Sequence, residues 1–141
     1  MRRAAAITTW AYAAGFGGAA LPVAKHLSDK GYLPSFRDWF TMYGGPWSER
    51  FAGHESERLV ALLVAFFFVT LVASVFAWML WRGSKLGAAL SLMWLPVEAV
   101  FWYGFALPFP WLIGVLRAVL VALAWKSLGA ERATTTPAQT G

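Results

Sequence analysis

From Leu59 to Trp81 the chain runs without one charged residue, and Arg58 and Arg82 close the run at its two ends. At 1.5 Å rise per residue, a helix of this length crosses a hydrocarbon layer of about 30 Å. A helix that is apolar all round belongs inside a large protein or in lipid. The length of the run and its lack of charge read as a membrane span. Composition agrees: 59% of the residues are hydrophobic and 13% charged, where a soluble domain carries about a quarter charged. With a mean hydropathy of +0.55, an ordinary soluble globule and a disordered chain are both excluded. A net charge of +5 spread between apolar stretches leaves no basic patch for nucleic acid. The chain has no Cys, so disulfides, Cys-ligated metals and thiol nucleophiles are excluded too. The expected fold class is all-α, a polytopic membrane four-helix bundle in one domain, 1–132.

Four spans are expected, at about 4–24, 59–81, 86–107 and 108–125. The third is broken only by Pro96 and Glu98, and the fourth by Arg117. The first is rich in Ala and Gly. Its Met1-Arg2-Arg3 start resembles a secretory signal peptide. The run is long for one, however, and Pro22-Val23-Ala24-Lys25 offers no good small-x-small cleavage site. Read as a retained span, it places Ala11, Gly15 and Ala19 at i, i+4 spacing, a smooth stripe against which another helix could pack. The polar residues 133–141 read as a disordered tail.

Arg2, Arg3, Arg82, Lys85, Lys126 and Arg132 all fall on one side of a four-span arrangement. The positive-inside rule puts that side, and both termini, in the cytoplasm. Trp10, Trp78, Trp81, Trp111 and Trp125 lie near span ends, where interfacial anchors belong.

The outer loop, 26–57, is more than a linker. Phe36, Trp39, Phe40 and Tyr43 recur at i, i+3, i+4 and i+7, the spacing of one helical face. Ser35 and Asp38 have capping-box spacing, and Gly44-Gly45-Pro46 would stop the helix. A second short stretch pairs Trp47 with Phe51. These predict one or two interfacial helices, acting either as a lid over the helix ends or as a gate or docking surface.

Glu98 and Arg117 carry the most information. Each stands near the middle of its span, where an isolated charge costs at least about 2.5–3.5 kcal/mol. Each is also roughly nine residues from the turn at Leu107-Pro108, so antiparallel packing brings them to one depth. Opposite charges there should pair. The pair could simply fix register, or it could line a polar cavity. Ser91, Trp94, Trp102 and Phe105 flank Glu98 at i−7, i−4, i+4 and i+7. A carboxylate among aromatics suits a lipophilic cation, and equally suits plain helix packing. Pro96 can kink the helix beside it. The candidate binding residues are therefore Glu98, Arg117, Trp94, Trp102 and Ser91.

No catalytic set is recognisable. His26 and His54 lack metal-ligand spacing, Gly15, Gly17 and Gly18 lie inside a span, and no Ser-His-Asp order appears. No cofactor or metal is expected.

A four-span chain with a membrane Glu resembles small multidrug exporters, whose essential Glu lies in the first span, where this chain has no acid. The Pro96-x-Glu98 pattern before Phe101-Trp102 resembles the Pro-x-Glu-acidic motif of small membrane carotenoid cyclases. Ala99 stands at the second acidic position. As a whole the chain resembles the many small four-span integral membrane proteins of bacterial inner membranes, a resemblance that implies a location and no particular activity.

The expected function is that of a non-enzymatic accessory or interaction subunit of a membrane complex. The alternatives are a lipid- or isoprenoid-binding membrane enzyme using Glu98, and a small homo-oligomeric transporter. The partners implied are the bilayer, other membrane subunits or further copies of the chain, and a lipophilic small molecule in the ligand-binding case.

Overall fold

A computed structural model describes residues 1–36, 40–51 and 56–128. The expected tail at 133–141, Arg132, Asp38, Trp39 and His54 lie outside the described residues. Apart from one short hairpin, the described elements are helical. Three stretches are long and apolar enough to cross a membrane: Ser56–Trp81, Lys85–Gly104 and Pro108–Ser127. That is consistent with a multi-pass membrane protein.

The first helical run is longer than the sequence suggests. It passes from α1 (Arg2–Tyr12) through a π-helical turn at Ala13–Gly17 into α2 (Gly18–Lys30). The Gly18 N–H reaches back five residues to the Ala13 carbonyl, which defines the π turn. Pro22 then has no N–H to offer the Gly18 carbonyl, so the helix is loosened on both sides of Gly18. The small-residue stripe does not face the other helices. Ala11 and Gly15 are exposed and Ala19 is half-buried. Thr9, Tyr12, Val23 and Leu27 turn inward instead. Tyr12 wins that face because its ring meets Phe66 and Trp102 edge-on, contacts that an alanine cannot make.

Helix α4 (Ser56–Trp81) touches α1 and α2 on one flank, and α5 (Lys85–Met93) and α6 (Leu95–Gly104) on the other. The α4–α5 turn is a Schellman motif: Gly83 is left-handed at φ 80°, Ser84 N–H bonds Met79 O and Gly83 N–H bonds Leu80 O. Ser84 then caps α5 by accepting the Gly87 N–H at 3.2 Å. The sequence treats 86–107 as one span. The structure divides it at Trp94, because Pro96 cannot supply an N–H to the Leu92 carbonyl. A tight turn through Ala106 leads to α7 (Pro108–Ala124), which packs on α1 and α6. A 3₁₀ turn, Trp125–Ser127, follows.

Two packed clusters mark the two ends. At one, Ala5, Leu80, Ala88, Val121 and Leu128 gather, so the start of α1, the α4–α5 turn and the end of α7 lie together. At the other, Leu27, Leu59, Phe66 and Phe105 pack beneath the loop that follows α2.

That loop corrects the sequence expectation. Ser35–Phe36 (β1) and Phe40–Thr41 (β2) form an antiparallel hairpin, with Phe36 opposite Phe40, and the interfacial helix expected over this stretch is not there. The spacing i, i+4 is ambiguous: it marks one face of a helix, and it also marks two residues facing each other across a three-residue turn. Pro34 favours extended backbone just before β1, and the Met42 N–H bonds its carbonyl at 3.0 Å. The second stretch is helical, as α3 (Pro46–Phe51). The Trp47 ring edge meets Phe101 and Phe105 at 5.3 and 5.1 Å and lies where a side chain on Gly104 would have to go. Tyr43 is buried, and its hydroxyl donates to the Phe16 carbonyl in the π turn. Burial pushes the Tyr43 phenol above its ordinary range, because desolvation disfavours the phenolate. Tyr43→Phe should lower stability by about 0.5–1.5 kcal/mol and speed amide exchange in Phe40–Phe51 before the helices respond. Uniform loss across the chain would contradict this anchoring role.

Candidate functional site

Glu98 sits in the first turn of α6, just after the break, and Arg117 in the middle of α7. The turn at 105–107 folds α7 back along α6, which brings the two side chains together. Arg117 Nη2 donates to Glu98 Oε2, and Nη1 to Oε1 at 3.3 Å. The pair is therefore a two-pronged fork, and it is closed: Glu98 is 0% and Arg117 2% exposed. Such geometry fixes both the rotation and the register of the two helices. The Arg117 Nε–H, outside the fork, is buried and without a hydrogen-bond partner among the described residues.

The aromatic residues around Glu98 divide between two tasks. Trp102, one turn further along α6, donates from Nε1 to the Tyr12 hydroxyl at 2.7 Å, tying α6 to α1. Its ring covers Gly114 of α7, where a Cβ would stand 2.6 Å from the indole. Trp94 turns elsewhere, its Nε1 donating to the Val69 carbonyl of α4 at 3.1 Å and its ring meeting Phe76 edge-on. It is held by α4. Ser91 is buried on α5, and no hydrogen bond joins it to Glu98. Of the five candidates, the structure brings together Glu98, Arg117 and Trp102 in one layer.

Tyr12 completes that layer, and sequence reasoning missed it. A tyrosine within an apolar, Ala-rich run was the available signal, because a buried phenol must find a hydrogen-bond partner. Gly114 escaped notice for a different reason: its importance lies in what it omits, room for the Trp102 ring.

A groove of about 320 Å³ runs along the outer side of the α6–α7 pair, lined by Pro96, Ala99, Trp102, Trp111, Gly114 and Val115. Neither Glu98 nor Arg117 is among its lining side chains. The wall is almost wholly hydrocarbon and indole, so the groove fits an apolar chain and offers no charge to a polar ligand. Among the described residues no group of three or more His, Asp or Glu side chains could hold a metal. His26 meets the Tyr32 ring edge-on at 5.2 Å.

No protein-family model matches this chain, and it has no detectable counterpart among curated proteins or solved structures.

Proposed function

We propose that the chain is a four-span integral membrane protein with both termini in the cytoplasm, and that it acts as a non-enzymatic accessory or interaction subunit of a bacterial inner-membrane complex. In this reading the run from Arg2 to Lys30 is the first span. Its own apolarity is modest, and packing against α4 and α7 supports it. The shared location of the α1 start, the α4–α5 turn and the α7 end supports an even number of crossings.

The observation that carries the functional part is the closure of the Glu98–Arg117 fork. A general acid or an ion carrier must meet its substrate, and these groups meet only each other. Their role is to lock α6 against α7 in register, which leaves the outer faces and the cap as the parts that can act. Purification in mild detergent is expected to retain a second membrane protein at fixed stoichiometry. A strictly monomeric product with no bound protein would sink the proposal.

The groove beside Trp102 favours a second reading, a binder of lipid or isoprenoid chains. It requires a defined hydrocarbon ligand in native extracts, one that Ala118→Leu, at the groove wall, displaces by filling the groove.

A further inference from the structure

Basic residues scattered through the sequence converge in the fold. Arg2 and Arg3 open α1, Arg82 and Lys85 flank the α4–α5 turn, and Lys126 follows α7. All five lie just beyond the cluster of Ala5, Leu80, Ala88, Val121 and Leu128. Among the described residues this end carries no acid. The opposite end mixes Lys25, Lys30, Arg50 and Arg58 with Asp29, Glu49 and Glu57. The sequence already places these cations on one side of the spans, and the fold gathers them around one end of the helices.

Two of these cations are held by indoles. Arg3 lies over Trp81 at 5.2 Å and Arg82 over Trp78 at 5.0 Å, while the Trp10 and Trp81 rings stand 5.5 Å apart. The tryptophans fix the guanidinium groups at the rim of the apolar surface. A guanidinium over a ring can still present its edge N–H groups to an anion. Lys85 and Arg82 are exposed beside them.

We propose that this end binds the phosphodiester headgroup of anionic phospholipid, with Arg3, Arg82 and Lys85 as its principal contacts and Trp78 and Trp81 against the upper acyl chain. The inference rests on the membrane reading above and is independent of the subunit role. A lipid is favoured over a soluble anion because the cations border an apolar belt rather than line a pocket: the ligand that matches has charge and hydrocarbon in one molecule.

The test uses the full chain in mild neutral detergent, with phosphatidylglycerol or phosphatidylcholine added and the unfolding temperature followed. Phosphatidylglycerol should raise it saturably, and phosphatidylcholine should not. Arg3→Gln and Lys85→Gln should each weaken the response about fivefold, and Arg50→Gln, at the other end, should leave it unchanged. Equal responses to the two lipids would overturn the proposal, as would an equal loss with Arg50→Gln. Glycerol phosphate acting as well as the lipid would overturn the lipid as ligand. Native mass spectrometry of the unmodified chain gives a readout that no variant can confound: preferential retention of phosphatidylglycerol supports the site, and indifferent retention removes it. Alkaline extraction of membranes tests the underlying reading separately. A chain that stays embedded yet ignores phosphatidylglycerol defeats this site alone, whereas a chain released from the membrane defeats the reading beneath it.

Discussion

Glu98→Leu is expected to cost about 3–5 kcal/mol of stability, because it leaves the Arg117 guanidinium buried with no acceptor. A guanidinium cannot shed its proton to escape, whereas a carboxylate can gain one. Arg117→Leu should therefore be the milder of the two single changes. Combining them should restore most of the loss, since the double variant buries no charge at all and Leu fills similar space. Denaturant titration of the four proteins in one detergent measures this as a cycle, with a coupling at or above the top of the usual range of about 0.5–3 kcal/mol. Additive effects would mean that the fork contributes little, and the register lock would fall with it. The same cycle bears on function. If the double variant is stable and still associates with its partners, the charges serve architecture alone.

Gly17→Val should be the second large effect, at about 1–3 kcal/mol or more. A Cβ at Gly17 would stand 1.9 Å from Thr70 Oγ1 and 2.7 Å from Thr70 Cβ. Thr70 is itself buried, with its hydroxyl bonded to Phe67 O, so it cannot simply swing away. At Gly15 a Cβ meets nothing within 4 Å, and Gly15→Val should be close to neutral. The contrast is the test: thermal unfolding of the two variants in the same micelle should differ sharply, and similar curves would show that the π turn does not press α4 as described.

These two predictions differ in how far the sequence foretold them. The meeting of Glu98 with Arg117 follows from counting residues about the Leu107-Pro108 turn, because a tight turn forces antiparallel neighbours and equal spacing gives equal depth. The division between Gly15 and Gly17 does not follow from any count. Both stand in one Ala- and Gly-rich run, and only the inserted π turn, which shifts every later residue around the helix axis, decides which one faces α4. The hairpin at Ser35–Thr41 eluded the sequence for a related reason, since its aromatic spacing fits two periodicities equally well. The task of Trp94 was hidden too. Its partner is a backbone carbonyl of α4, and backbone acceptors leave no trace in residue type.

By itself the sequence determined the apolar runs of the central and last long helices and the turns that bound them. Arg58 and Arg82 bound the uncharged run of α4 through solvation, and the Gly83 turn ends the helix through local backbone freedom, both of which act on neighbours along the chain. Tertiary structure decided which faces meet and which small residues must stay small. Those outcomes depend on contacts between residues distant in sequence, where one added methyl or one inserted residue changes what fits, and no local rule carries that information.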